Sequence, residues 1–305
     1  MIMMNNNLRV FVEAAERSSF TRAAEALHVT QPAVSRAVRA LEDELKVKLF
    51  FRDKRTGLAL TDVGEKVLAL ARQMADTENR IYQAAFRENN FLGGRVRVAS
   101  MPVLTSSILS KALRRFRDRH PYVSVELVEG SASEIRRAVE DHRVDFGFTL
   151  SPFGGLDSRA VFTDRMLAVG SEEFDDPEPV DVRARGFVVC KAGYETMVDA
   201  LGASWEGAGD CLVVQQAETV IGLVREGNGV GVISELVLNA TPNRLCRHAI
   251  EPAIELEAGI VANDLDDLTP VAIALERTVL EACEEYCEDG GGQRSGHTRS
   301  EASRR

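Results

Sequence analysis

Ser19-Phe20-Thr21-Arg22-Ala23-Ala24-Glu25-Ala26-Leu27-His28-Val29-Thr30-Gln31-Pro32-Ala33-Val34-Ser35-Arg36-Ala37-Val38-Arg39-Ala40-Leu41 reads as two short helices joined by a three-residue turn, His28 to Thr30. With Thr30 as N-cap, a helix over residues 31–45 advances about 100° per residue and sets Val34, Ala37, Val38, Leu41 and Leu45 on one arc, facing a core. The opposite arc gathers Gln31, Pro32, Ser35, Arg36, Arg39 and Asp43. Its amide, hydroxyl and guanidinium donors are the groups that read base edges and phosphates, unlike the Glu/Lys mosaic of an ordinary solvated face. The preceding helix, residues 20–27, carries the small pair Ala23 and Ala24, which lets the two backbones cross closely, as a helix-turn-helix requires. Upstream, Leu8, Phe11, Val12 and Ala15 follow the spacing of an amphipathic helix and supply a third member for a small core.

Beyond the second helix, Arg52-Asp53-Lys54-Arg55-Thr56-Gly57-Leu58-Ala59-Leu60-Thr61 sets a glycine turn between a basic run and an alternating apolar run, the pattern of a β-ribbon wing. Four stretches carry a resemblance at the right order and spacing: Ser19 to Ala24, Thr30 to Ser35, Leu49 to Arg52, and Leu60-Thr61-Asp62-Val63-Gly64-Glu65. The first ninety residues resemble the winged helix-turn-helix of LysR-type transcriptional regulators. That resemblance implies that Gln31, Pro32, Ser35 and Arg36 meet major-groove base edges, with Arg39 on the same face, and that Ser19, Thr30, Arg52 and Thr61 hold phosphates. Lys46 departs from the pattern, standing where the family commonly has glycine. A non-glycine residue in that left-handed cap costs roughly 1 kcal/mol.

The chain carries 37 basic and 47 acidic side chains, net −10, which on its face argues against a polyanionic partner. Location resolves the conflict. Residues 1–90 hold 14 basic and 12 acidic groups, leaving 23 basic against 35 acidic for the remainder. Arg36, Arg39, Lys46, Lys48, Arg52, Lys54 and Arg55 cluster within twenty residues, the electrostatic footprint of nucleic-acid binding. The N-terminus lacks the basic and apolar regions of an export signal and no segment reaches eighteen uninterrupted apolar residues, so a cytoplasmic protein with no membrane partner is expected.

From Thr61 to about Asn90 there is no proline, and after Gly64 no glycine. Val63, Val67, Leu70, Met74, Thr77, Ile81 and Ala84 recur at spacings of four and three, a heptad seam that calls for a partner helix. The family resemblance implies the same: paired linker helices would hold two readers on one pseudo-palindromic DNA duplex, with reading helices about 34 Å or a multiple apart.

Phe91-Leu92-Gly93-Gly94 ends this helix, and strand-like and helix-like segments then alternate in βαβ order, predicting a mostly parallel sheet covered by helices. Two lobes are expected, lobe one from residues 91–164 and 268–288 and lobe two from residues 165–267, with crossings near Asp164 and Leu265. The fold expected overall is therefore α/β: a winged helix-turn-helix over residues 1–62, a dimerisation helix over 63–90, a two-lobed, periplasmic-binding-protein-like effector domain over 91–288, and a disordered Gly/Ser/Arg tail over 289–305.

Ligands of open α/β sheets bind beyond the carboxyl ends of the strands. Those ends fall at Ser100, Met101 and Pro102, at Gly130 and Ser131, and at Thr149 and Ser151, and in the second lobe at Lys191, Gln215, Gln216 and Ile233. The resemblance implies a small metabolite, often a carboxylate, between the lobes, nearest Ser100, Pro102, Thr149 and Gln216. Gly227-Asn228-Gly229-Val230-Gly231 imitates a nucleotide loop, but it follows a helix and leads into a strand, the reverse of a dinucleotide fingerprint.

Five cysteines, Cys190, Cys211, Cys246, Cys283 and Cys287, show no metal-ligand spacing, and His28, His120, His142, His248 and His297 complete no catalytic constellation, so no cofactor, no metal and no enzymatic activity are expected. The expected function is sequence-specific transcription regulation under a small-molecule effector, by a dimer or tetramer, with RNA polymerase a further partner if it activates. A cysteine-based redox sensor of the same fold, a two-lobed enzyme and a solute-binding protein are the alternatives.

Overall fold

The computed structural model describes residues 5–53, 57–88, 92–171, 179–183, 186–202, 211–290 and 293–294. The chain splits into two compact units, residues 1–95 with 141–143, and the remainder.

In the first unit, α1 (Asn6–Glu16), α2 (Phe20–Ala26) and α3 (Gln31–Leu45) precede the antiparallel ribbon of β1 (Phe50–Asp53) and β2 (Gly57–Leu60), and α4 (Asp62–Glu88) follows. Polar caps set two of the starts: Asn5 accepts from the Asn7 N–H at 2.9 Å, and Ser19 accepts from the Arg22 N–H at 3.3 Å. Left-handed residues follow the first three helices, Ser18, His28 and Lys46, the last at φ 56° and ψ 31° as its position after α3 requires. The core joins Phe11 and Ala14 of α1, Ala23 and Ala24 of α2, Val34, Val38 and Leu41 of α3, and Leu49, Phe50 and Leu68. The Phe50 ring lies 5.4 Å from that of Phe11 and 5.5 Å, edge-on, from that of Phe20.

Leu45, expected in this core, is instead exposed, and Glu42 takes the buried place one turn earlier. The reason is polar. The Glu42 carboxylate accepts from the Leu49 N–H at 2.9 Å, the Phe50 N–H at 3.4 Å and the Lys48 ammonium at 2.9 Å, turning the chain back after α3. Burial pushes its pKa up, but the Lys48 bond and the two backbone donors outweigh this and hold it below the usual carboxylate value of 4.5.

In the second unit one sheet runs in the order β4-β3-β5-β13-β6-β10-β8-β9, with β11 and β14 also on β6. The strands are β3 (Gly94–Ser100), β4 (Val123–Glu129), β5 (Phe146–Leu150), β6 (Asp157–Gly170), β8 (Val188–Cys190), β9 (Leu212–Val214), β10 (Gly231–Ser234), β11 (Cys246–His248), β13 (Glu255–Ala262) and β14 (Gln293–Arg294). A separate two-stranded pair is β7 (Val180–Asp181) with β12 (Ile250–Glu251). Helices cover the sheet. A first helical run comprises α5 (Pro102–Leu104), a π turn (Thr105–Leu109) and α6 (Ser110–Arg119), and the others are α7 (Ala132–Glu140), α8 (Lys191–Leu201), α9 (Ala217–Arg225), α10 (Glu235–Ala240) and α11 (Pro270–Glu288).

Parallel pairing holds within each lobe, β3 with β5, β10 with β8 and β8 with β9, while the central strands β13 and β6 run antiparallel to their neighbours. The 14-residue β6 pairs with β13 up to Arg165 and with β10 from Met166, so the first crossing lies beside Asp164. The second crossing is not at Leu265. Strand β13 already pairs with β5 from Ala258 to Val261, and the Met166 N–H donates to the Ile254 carbonyl, so the chain has returned to lobe one before residue 255. The expected extent of lobe two, 165–267, is therefore too long at its end, because alternation along a sequence does not say which sheet a strand joins. The tail also departs from expectation: Gln293–Arg294 pairs with Phe162–Thr163, whereas residues 295–305 lie outside the described residues.

Glu42→Ala should lower unfolding stability by about 1–3 kcal/mol at neutral pH, the cost of leaving two buried N–H groups unmet. Because the native carboxyl titrates below its unfolded value, that difference should be complete above about pH 4.5 and vanish as pH falls through the native pKa. Urea denaturation of both proteins across acid pH measures it.

Candidate nucleic-acid interface and effector cleft

The face of α3 turned from the core exposes Gln31, Pro32, Arg36 and Arg39, with Ser35 half-buried beside them. Among the described residues, neither Arg36 nor Arg39 forms a hydrogen bond or ion pair, so both guanidiniums remain available to an outside acceptor. Thr30 is the N-cap in backbone conformation, yet its side chain makes no capping bond and is exposed, leaving its hydroxyl free as well. Pro32 lies in the first turn, where its missing N–H costs nothing.

The residues expected on phosphates divide. The Ser19 hydroxyl accepts from the Arg22 N–H and keeps its own proton to donate. The Arg52 side chain lies outside the described residues, as do residues 54–56. Thr61 does not fit a phosphate role. It is buried, its hydroxyl donates to the Lys48 carbonyl at 2.7 Å and accepts from the Gly64 N–H at 2.9 Å, and both capacities serve the start of α4. Lys48, from the basic cluster, is likewise engaged by Glu42.

Along α4 the expected seam separates into two kinds of residue. Val63, Leu70, Met74 and Ile81 are 43%, 61%, 51% and 46% exposed, whereas Val67 packs on the core of its own unit. Ala84 has no described side chain. Leu68, Ala71 and Arg72 form the inward face, and the Arg72 guanidinium reaches Glu16 of α1 at 3.4 Å.

In the second unit the strand ends converge as their parallel register dictates. Ser100 pairs with Phe148, Thr149 stands one residue further along β5, and the Met101 N–H donates to the Phe148 carbonyl at 3.3 Å. Ser100 and Thr149 are fully buried, and their hydroxyls donate to the Met101 and Leu150 carbonyls at 3.2 and 3.4 Å. Met101 is buried and Pro102 exposed. Ser131 is occupied as the cap of α7, its N–H donating to the Glu134 carboxylate at 2.8 Å and its hydroxyl accepting from the Glu134 N–H at 3.4 Å. Those Ser131 bonds hold the Glu134 carboxyl below its usual value.

In lobe two, Gln216 is exposed at the N-cap of α9 without a side-chain capping bond. Ile233 does not line a cleft: it is 1% exposed inside the lobe-two core with Leu167, Val169, Val188 and Val224. Its position at a strand end was right, but the side chain points to the face covered by helices. Residues that the sequence reading passed over close the lobes at one edge. Ser133 of α7 donates to Glu195 of α8 at 3.4 Å, Arg136 stands 3.7 Å from Asp199, and the Arg136 guanidinium donates to the Pro152 carbonyl at 2.7 Å. Their only signal was a polar helical stripe on each helix, which does not identify its partner.

All five cysteines are free. The Cys190 thiol caps α8 by accepting from the Gly193 N–H at 3.4 Å, and burial pushes its pKa up, as it does that of Cys283. Among the described residues no group of three His, Cys, Asp or Glu side chains could hold a metal ion, and no helix is long and apolar enough to cross a membrane.

A winged helix-turn-helix followed by a two-lobed α/β sensing domain defines a DNA-binding regulator of transcription. Comparison with known proteins agrees with that class. The family model of the LysR substrate binding domain matches residues 89–284, and that of the bacterial regulatory helix-turn-helix protein, lysR family, matches residues 5–65. The chain belongs to the LysR family. It is similar to YoaU of Bacillus subtilis strain 168, an uncharacterised HTH-type transcriptional regulator, at 37% identity over 89% of this chain and 96% of that one. Among solved structures, the fold matches full-length OxyR C199D from Pseudomonas aeruginosa, with TM-score 0.68 and 18% identity over 98% and 99% of the two chains. It also matches full-length CbnR complexed with its target DNA, with TM-score 0.59 and 19% identity over 92% and 100%.

Thr61→Val should lower stability by about 1 kcal/mol through loss of the cap. The salt dependence of DNA binding should stay as in the parent protein, since no phosphate contact is removed; a shallower salt slope would return Thr61 to the DNA surface.

Proposed function

We propose that this regulator reads a pseudo-palindromic operator as a dimer joined along α4, tetrameric through its second domain, and that a small-molecule effector held between its lobes sets its activity. The observation that carries the reading is the outer face of α3. Gln31, Pro32, Arg36 and Arg39 stand exposed together on one helix face, and among the described residues neither guanidinium forms a hydrogen bond or ion pair. Gln31 and Arg36 then read base edges with Ser35 and Pro32, and Arg39, Thr30, Ser19 and Arg52 hold the backbone.

The exposed seam Val63, Leu70, Met74 and Ile81 supports the dimer, with Val67 tying it to each reader. In the second domain the effector lies over the strand ends that carry the buried Ser100, Met101 and Thr149, with Pro102, Ser131 and Gln216 nearer the surface. The N-termini of α7 and α9 favour an anion there, so a carboxylate is the first class to try. The effector prefers one lobe arrangement and shifts the oligomer toward one DNA geometry, without chemistry on the ligand. The site of action is the cytoplasm, where the DNA is, and RNA polymerase is the further partner if the outcome is activation. A thiol switch is the weaker reading, because burial keeps the Cys190 and Cys283 thiols protonated and a thiolate is the reactive form.

Gln31→Ala should cost about 1–3 kcal/mol at one operator position and flatten base preference there; quantitative footprinting over operator variants reads this, and unchanged preference would remove Gln31 from the groove. Met74→Glu, which sets like charges together across the seam, should convert dimers to monomers in sedimentation. Intact dimers would move the interface off α4.

A further inference from the structure

A second hollow lies away from the strand ends that surround the effector. The π turn and α6 of lobe one supply Ser106, Ser107 and Lys111, α10 of lobe two supplies Asn239, and the end of α11 supplies Tyr286 and Asp289, around a cavity of about 500 Å³. The hydroxyls along the first helical run show what is unusual there. Thr105 donates back to the Met101 carbonyl at 3.2 Å, Ser106 to the Val103 carbonyl at 3.1 Å and Ser110 to the Ser106 carbonyl at 3.0 Å. Ser107 does not: its Oγ is buried without a hydrogen-bond partner. The Tyr286 Oη is buried too, with only the Asn239 side chain donating toward it, so its own proton has no acceptor. Buried polar atoms are nearly always satisfied, so two hydroxyl protons without an acceptor at one cavity point to an occupant that supplies acceptors. The π turn that carries Ser107 is a rare element found mostly at functional sites.

The remaining groups define the occupant's chemistry. The Asn239 carbonyl accepts from Arg247 at 2.8 Å, and its NH₂, turned toward the Tyr286 oxygen, has one further proton to donate. Burial, with the Asp164 carboxylate nearby, pushes the Tyr286 phenol up to about 12, so it remains a donor. Lys111 adds an ammonium. Asp289 brings a carboxylate at the C-cap of α11, where the peptide dipoles also favour a cation. We infer that this hollow is a second ligand site, built for a small zwitterion of the free amino acid class. Its carboxylate meets Lys111, Ser107, Tyr286 and Asn239, and its ammonium meets Asp289 and the end of α11. Since the walls come from both lobes, an occupant bridges them and biases their arrangement, coupling this site to the cleft.

Titration calorimetry on the full chain tests this, with the standard L-amino acids and, for each, its deaminated acid and its decarboxylated amine. At least one amino acid should bind, with both truncated analogues weaker by about tenfold or more. Tyr286→Phe, which removes one oxygen and keeps the shape, and Ser107→Ala should each weaken that amino acid by about tenfold. Asp289→Asn should bring the amino acid down to the level of its deaminated acid. The absence of binding by any amino acid, equal binding of the deaminated acid to the parent chain, or affinity unchanged by Tyr286→Phe and Asp289→Asn would each overturn the proposal. Loss of the amino acid's binding in Gln216→Ala alone would place it in the cleft and overturn the second site while leaving the first intact.

Discussion

The first unit depends on how the peptide groups of Lys48, Leu49 and Phe50 are held. From one side the Glu42 carboxylate takes the Leu49 and Phe50 N–H groups. From the other, the Leu49 carbonyl accepts from the Thr61 N–H at 3.0 Å, and the Lys48 carbonyl accepts from the Thr61 hydroxyl. The end of the reading helix, the start of the ribbon and the start of α4 therefore meet at three consecutive residues. Gly64 completes the joint, since a Cβ there would stand 2.2 Å from the Leu49 carbonyl oxygen. Only glycine lets the first turn of α4 approach so closely. With Phe50 anchored between Phe11 and Phe20, the reading face and the partner-seeking face of this unit cannot turn independently.

The second unit has a different constraint, a single strand shared by two sheets' worth of pairing. β6 lends its first nine residues to β13 and its last five to β10 and β11, so the lobes are continuous in hydrogen bonding through one backbone. Asp164 stands at the change of partner, buried, with one carboxylate oxygen accepting from the Leu236 N–H at 3.0 Å. Burial pushes its pKa up in spite of the Ser234, Leu236 and Arg165 donors. The shared strand joins the lobes beside this point, and Ser133 with Glu195 and Arg136 with Asp199 add side-chain contacts between them.

Local rules made the first unit legible and failed where the answer was tertiary. Residues 31–45 form one helix because the apolar spacing, the cap position and Pro32 agree, and the cost at Lys46 was readable because helix ends demand a left-handed residue there. Glu42 carried no signal in the sequence, because periodicity cannot show that two N–H groups beyond the helix need an acceptor. Thr61 was readable as a cap, but the phosphate role assigned by resemblance ignored that one hydroxyl cannot serve both. In the second unit the strands around Phe146, Val188 and Ile233 are short apolar runs and were visible. β6 was not, since Thr163, Asp164 and Arg165 interrupt its pattern at the crossing. Sheet membership, which decides where lobe two ends, is carried by pairing partners distant in sequence and has no local signature.

The exposed stripe on α4 bears on how well a single reader could work. One recognition helix offers a few base contacts worth about 1–3 kcal/mol of discrimination each. Separating an operator from the competing sites of a genome takes about 4–10 kcal/mol. One copy of α3 falls at the low end of that need, and its surroundings add little, because Thr61 is committed internally and the first unit carries only a small positive balance. Joining two copies through Val63, Leu70, Met74 and Ile81 covers apolar surface that water would otherwise wet and presents a second set of base contacts at high effective concentration. In the proposed dimer the joint that ties α4 to the ribbon would then fix the distance between the two reading helices, and operator spacing would be a property of the Leu49 peptide and of Gly64 as much as of the seam itself.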